Sequence, residues 1–209
     1  MNNNDAVSSG VLLLAAGQSR RFGSQKLMHP LKVDSQREAM PMIGWTIENI
    51  LATTDQLVVV VDPTQKHLVD YLKKLKVDYV LNDHAELGLG VSLSTGIQAV
   101  AERWQVTMIA LGDMPFIEPE TYGVLLSECR NDLITVPVVA IDSTEDTRRG
   151  NPVVFGARFY PELSMLNADQ GGKDIIKRHS AQVQEVSVLD QGTLRDIDQP
   201  EDLINLRSV

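Results

Sequence analysis

Short β-rich apolar runs, alternating with longer segments of helical period, constrain this chain more than any other feature. The runs are "VLLLA" (11–15), "LVVVV" (57–61), "DYVLN" (78–82) and "TMIAL" (107–111). Between them lie "MIGWTIENIL" (42–51), "KHLVDYLKKL" (66–75) and "VSLSTGIQAVAERW" (91–104), with apolar residues at three- and four-residue spacing. A strand with one wet face alternates apolar and polar side chains, whereas runs apolar throughout belong to strands covered on both faces. The rhythm therefore calls for an α/β fold with a mostly parallel sheet and helices on both sides.

After Gly112 the rhythm changes. Pro119–Cys129 reads as a helix, with Pro and Glu at the start where both are favoured. "LITVPVV" (133–139) and "NPVVF" (151–155) read as strands around the polar loop "AIDSTEDTRRG", a small antiparallel excursion. Helices around 158–166 and 171–179, a strand at 183–188 and a helix from Pro200 complete the chain. The polar stretch "MNNNDAVSS" (1–9) is expected to be a flexible end, and 10–209 a single domain of a size that buries a sizeable core.

The formal charge of −9 argues against a general nucleic-acid binder, which needs positive surface to displace counterions. One cysteine, Cys129, and no Cys/His cluster at metal-ligand spacing fit a reducing compartment. The apolar run at 11–16 is far too short to span a membrane, so a cytoplasmic protein without a membrane partner is expected.

A parallel sheet of this kind binds ligands outside the carboxyl ends of its strands. Two polar features fall there: Gly17 onward, after the first run, and "GDMP" (112–115), after the fourth. The first is neither a Walker A loop nor a G-x-G-x-x-G turn, because five residues separate Gly17 from Gly23 and Lys26 follows three later. It reads A-A-G-x-S-x-R-x-G-x-x-K. Small residues at Leu14-Ala15-Ala16-Gly17 let a base or ribose approach the backbone, and free N–H groups in the turn can bind phosphate oxygens. Ser19, Arg21 and Lys26 follow, Arg21 offering a planar fork and Lys26 a point charge for a triphosphate. The plainer alternative is a strand-to-helix turn with a solvated basic face. Asp113, held at a strand tip before Pro115, is a candidate Mg²⁺ ligand, since that ion takes one or two carboxylates plus phosphate oxygens; alone it would read as a turn residue.

Taken together, "LAAGQSRRFGSQK" and "LGDMPF" resemble the molybdenum-cofactor nucleotidyltransferase family, and its cytidylyltransferase branch more closely. "GLGVSLSTGI" (88–97), "RRGNPVVF" (148–155) and "DIDQPEDL" (196–203) are similar, in order, to three further segments of that family. The resemblance spans about residues 10–206. It implies a Rossmann-like three-layer nucleotidyltransferase fold that moves CMP from CTP to molybdopterin with Mg²⁺, the product going to a recipient molybdoenzyme. It also implies that Asp113 and Asp198 hold the metal, that Arg21 and Lys26 act on the leaving phosphates, and that Leu14 to Gly17, Ser19, Gly88, Ser92 and Asp113 surround the nucleotide. Asn151, Asp169 and Lys173 fall to the phosphorylated pterin acceptor, within an acceptor-binding part at about 130–190. Ala16 stands where the guanylyl branch tends to read glycine, which leans toward cytosine.

The chain departs from the family pattern on the acceptor side. Lys173 replaces an arginine in Asp169-Gln170-Gly171-Gly172-Lys173, Gly90 and Val91 replace two of three serines, and Ser94 stands where a basic residue is common. Two other readings share the same loop: transfer to a sugar phosphate or other small phosphorylated acceptor, and a nucleotide-binding regulator or cofactor chaperone without turnover.

Overall fold

The structure is a computed structural model, and it describes residues 7–17, 22, 25–33, 36–141, 146–168, 170–199 and 201–202. Its strands are β1 (Ser9–Leu14), β2 (Pro30–Leu31), β3 (Met40–Pro41), β4 (Leu57–Val61), β5 (Asp78–Leu81), β6 (Val106–Leu111), β7 (Ile134–Ala140), β8 (Thr147–Arg149), β9 (Val153–Gly156) and β10 (Val183–Ser187). The helices are α1 (Met42–Leu51), α2 (Lys66–Leu75), α3 (Leu89–Val100), α4 (Pro119–Ser127), α5 (Tyr160–Leu163) and α6 (Lys173–Arg178).

The main sheet runs β10-β7-β9-β6-β1-β4-β5, with β8 pairing β7 at the side. Pairs β1–β4, β4–β5, β1–β6 and β7–β10 are parallel, and β9 runs antiparallel between β6 and β7. The expected antiparallel excursion is thus the return of β9 into the gap beside β6. Within the polar loop expected between 139 and 151, Thr147–Arg149 adds a short strand on β7, and β2 and β3 form a separate antiparallel pair.

The central strands β1, β4 and β6 are buried on both faces, as their apolar runs require, but β5, expected to be covered likewise, is the sheet's edge strand and leaves Asp78 and Leu81 exposed. Val11, Leu13 and Ala15 point to one face and pack with Ile43, Ile47 and Ile50 of α1, Leu68 and Leu72 of α2, and Tyr122 and Leu125 of α4. Leu12, Leu14 and Ala16 point to the other and meet Leu93, Ile97 and Val100 of α3, Leu163 of α5 and Ile175 of α6. Strand period 2 divides one hexapeptide between two cores, which makes three layers.

Several element ends differ from the sequence expectation. Strand β1 begins at Ser9, and the N–H groups of Gln105 and Val106 donate to the Ser8 carbonyl, so the expected flexible end is tied down at its last residues. The 158–166 segment forms a 3-10 turn, Ala157–Phe159, and the single-turn α5 rather than one helix, because Pro161 in its second position supplies no N–H. Helix α3 ends at Val100, and Trp104 beyond it fills the second core. Most of the segment from Pro200, including Pro200 itself, lies outside the described residues. Among the described residues no helix is long and apolar enough to cross a membrane.

Candidate active site

The chain leaves β1 through α1 toward β4 and β5, then returns through α3 to β6 on the other side of β1. Between β1 and β6 the strand order therefore switches direction, and a switch of this kind is where an open α/β sheet places a crevice beyond the carboxyl ends of its strands. The Gly112 N–H donates to the Leu14 carbonyl (3.0 Å), locking the two strand ends at the crevice mouth.

Three side chains from distant parts of the chain meet there. Lys26 Nζ donates to Asp113 Oδ2 at 2.8 Å and to Asp198 Oδ1 at 3.2 Å. Each residue is held by its own device. Lys26 opens a 3-10 turn, Lys26–Met28, whose Leu27 is buried in the first core. The loop carrying Asp113 is fastened by Thr46 Oγ1 donating to the Gly112 carbonyl (3.3 Å) and Asn49 Nδ2 donating to that of Ile117 (2.9 Å). The segment carrying Asp198 is fixed at one end by the Ile197 N–H on the Asp113 carbonyl (3.0 Å). Asp190 fixes the other end, where its carboxylate accepts from the Glu118 N–H, the Thr121 hydroxyl and the Gly192 N–H.

The Lys26 side chain is 10% exposed, against 23% for Asp113 and 49% for Asp198. Burial works against its charge, but attraction by Asp113 and hydrogen bonds to both carboxylates outweigh burial and hold its pKa above the ordinary lysine value. It therefore stays an ammonium through the neutral range.

Two carboxylates facing one cation make a cation-binding arrangement of the kind Mg²⁺ uses, with substrate phosphates and water completing the octahedron. Among the described residues no group of three or more His, Cys, Asp or Glu could enclose a metal by itself. The donor set thus fits an ion that arrives with a phosphorylated substrate.

The other expected nucleotide residues that the structure describes lie at or just after the end of β1 and at the start of α3. Leu14, Ala15 and Ala16 are buried in the two cores, so contact with a ligand falls to their backbone. A methyl group on Gly17 would meet no atom within 4 Å, leaving open space at the crevice. Gly88 has φ 116°, a conformation that favours glycine, and starts α3. Ser92 is buried and accepts a hydrogen bond from Asn82 Nδ2 at 3.0 Å, fastening α3 to the end of β5. Ser19, Arg21 and Asp169 lie outside the described residues.

At the positions expected to meet the acceptor the geometry is looser. Asn151 is half-buried, with its N–H on the Thr193 carbonyl (2.9 Å), which joins it to the segment that leads to Asp198. Lys173 is exposed at the first position of α6. The structure also accounts for two departures from the family pattern. Gly90 sits where a methyl group would lie 2.5–3.0 Å from the carbonyl oxygens of Gln170, Asn167 and Ala168, and its N–H donates to Ala168. Ser94 Oγ donates to the Ser164 carbonyl (2.6 Å), tying α3 to α5.

Sequence reasoning missed Asp62 and Asn82, which are buried just after β4 and β5 and line up with Gly17 and Asp113 along the same edge. The signal was available: each is the first polar residue after an apolar run, as Asp113 nearly is. Asp62 accepts from the N–H and hydroxyl of Thr64, and Asn82 accepts from the His84 N–H, so both shape turns at the crevice rim.

Residues 11–183 match the MobA-like NTP transferase domain. A probable molybdenum cofactor guanylyltransferase of Natranaerobius thermophilus is 34% identical over 139 residues, 65% of this chain and 62% of that protein, so the chain matches less than two thirds of that relative's length. The purine catabolism protein PucB of Bacillus subtilis is 27% identical over 206 residues, covering 91% of this chain and 92% of that one. Of the solved structures, Rv0371c of Mycobacterium tuberculosis is similar with a TM-score of 0.81 at 24% identity, over 96% of this chain and 97% of that one. A structure of Rv0371c in complex with manganese gives a TM-score of 0.74 at 23% identity, over 97% and 100%.

Proposed function

The chain belongs to the MobA-like NTP transferase domain family and is a nucleotidyltransferase, and from that premise we propose that it transfers CMP from CTP to molybdopterin, releasing pyrophosphate. The observation that carries this reading is the convergence of Lys26, Asp113 and Asp198 at the switch point between β1 and β6.

An acceptor phosphate oxygen attacks the α-phosphorus of CTP, and the bond to the β-phosphate oxygen breaks. The acceptor is already ionised, so no covalent protein intermediate is required, and the protein's task is positioning and charge stabilisation. Asp113 and Asp198 hold the divalent ion, Mg²⁺, which when bound neutralises charge on the phosphates. Lys26 and Arg21 take the β- and γ-phosphates and stabilise the departing pyrophosphate. The backbone from Leu14 to Gly17, with Ser19, Gly88 and Ser92, cradles the nucleoside, while Asn151, Asp169 and Lys173 receive the acceptor. Lys173 holds a phosphate as a point charge, without the bidentate grip of an arginine. The product is suited to delivery to a recipient molybdoenzyme.

The preference for CTP rests on the sequence lean at Ala16, where the guanylyl branch tends to read glycine; the Ala16 methyl group lies in the second core, so any effect on the base acts through the backbone at that position. GTP is the second reading, favoured by the name of the Natranaerobius relative. One assay separates them: pyrophosphate release from CTP, GTP and ATP in the presence of molybdenum-loaded molybdopterin. Release with CTP is expected. Release with GTP alone moves the base to guanine, and release only with other phosphorylated acceptors, sugar phosphates among them, removes molybdopterin from the proposal. Binding without release for any acceptor leaves a non-catalytic nucleotide binder.

A further inference from the structure

Lys26 donates to Asp113 Oδ2 and Asp198 Oδ1, one oxygen on each of the two carboxylates assigned above to the divalent ion. An ammonium held on one oxygen of each carboxylate opposes a divalent ion at the other oxygens, because neighbouring cations repel, and the repulsion is screened least around the 10%-exposed Lys26 side chain. We infer that Lys26 is a built-in competitor of the metal: in the nucleotide-free protein its ammonium occupies the carboxylates, and the ion gains them only when nucleotide phosphates draw the ammonium away.

This rests on the metal reading under the proposed function. Three observations carry it. Asp113 and Asp198 come from loops separated by the whole second half of the sheet, so without a cation between them two carboxylates would face each other uncompensated. Lys26 is the cation that compensates them. Its backbone is anchored by buried Leu27, while its four-carbon stem can turn about several bonds, so the charge can move without the turn moving. Finally, the phosphates that would bind the ion are the groups to which a displaced ammonium can go.

The consequence is coupling between two ligands. A free divalent ion meets an occupied site and binds weakly, whereas nucleotide phosphates release the carboxylates and bring further oxygen ligands. By linkage, the factor by which nucleotide improves metal binding equals the factor by which metal improves nucleotide binding. A nucleoside monophosphate, with no β- or γ-phosphate to receive the ammonium, leaves the site closed to metal. Departure of pyrophosphate returns Lys26 to the carboxylates and loosens the ion at the end of the cycle.

The test is titration of the full chain, free of nucleotide, with Mn²⁺, following unbound ion by electron paramagnetic resonance. Lys26→Met is expected to bind Mn²⁺ about tenfold or more tightly than the unmodified protein, since it removes the competing charge. Lys26→Arg keeps the charge and is expected to stay within about threefold of the unmodified protein. Should Lys26→Met fail to fold by circular dichroism, Lys26→Gln is expected to show the same gain. Neutral variants that bind Mn²⁺ no more tightly, with binding still lost on adding Asp113→Asn, overturn the competition and leave the metal site standing. If Asp113→Asn in the neutral background leaves Mn²⁺ binding unchanged, the metal assignment itself falls, and the competition with it.

Discussion

The cluster of Lys26, Asp113 and Asp198 and the two positions proposed for the acceptor, Asn151 and Lys173, are built in opposite ways. On the first, residues 87 and 172 positions apart in the chain are drawn into direct hydrogen bonds. Their loops are tied to one another and to α1 by backbone and amide contacts. On the second, the side chains of Asn151 and Lys173 make no hydrogen bond to another described residue, and Lys173 stands in water at the head of a six-residue helix. The difference teaches where each half gets its geometry. The opposite charges of Lys26, Asp113 and Asp198 satisfy one another without a ligand, so the protein can organise them alone. On the proposed function, contacts at Asn151 and Lys173 are completed by the acceptor.

The comparison breaks most sharply at Asp113. Replacing it by Asn keeps the shape and removes the charge, leaving Lys26 a neutral acceptor in place of its shorter ion pair. Turnover in the pyrophosphate-release assay should fall about a hundredfold or more, roughly 3 kcal/mol of transition-state stabilisation, with the thermal midpoint recorded to show that the fold persists. Unchanged turnover would mean that the tight cluster is structural and the catalytic edge lies elsewhere.

Gly90 sharpens the comparison, because there α3, proposed to border the nucleotide, meets the carbonyl groups of Asn167, Ala168 and Gln170. Gly90→Ser places a carbon against three carbonyl oxygens at 2.5–3.0 Å. Thermal unfolding should show a loss of about 1–3 kcal/mol, while equilibrium binding of CTP changes little, as expected for overpacking away from the cluster. A midpoint equal to that of the unmodified protein would show that the turn yields, and that the acceptor side is looser than these contacts imply.

The smallest effect is expected at Lys173. Lys173→Ala should leave stability within about 0.5 kcal/mol, as for an exposed residue without partners, and raise KM for the acceptor by about fivefold with KM for CTP unaltered. An equal rise in both constants would place Lys173 on the nucleotide and dissolve the distinction between the halves.

Much of the fold was legible because burial on two faces leaves a strong local mark. The helices at 42–51 and 66–75 and the strand at 57–61 stand where their periodicity put them. The less legible segments were those whose conformation depends on neighbours distant in sequence. Thr147–Arg149 is exposed and polar and becomes a strand only because β7 offers it an edge. The pair β2–β3 is too short to show a period at all. Of the candidate site, Asp113 and Lys26 were readable from a strand tip and a loop pattern, and Asp198 from resemblance. Asp62, Asn82 and Asp190 were not singled out, because turn-forming side chains resemble ordinary polar loop residues until the strands are laid side by side.

The sequence by itself determined the layered α/β architecture and which strand ends would carry the polar groups, because apolar period is a local consequence of being covered on one face or two. Only the tertiary structure decided that Lys26 lies between Asp113 and Asp198, and that Gly90 must have no side chain. Both depend on sheet order, which brings together segments far apart in the chain, and on distances of a few tenths of an ångström that no one-dimensional pattern encodes.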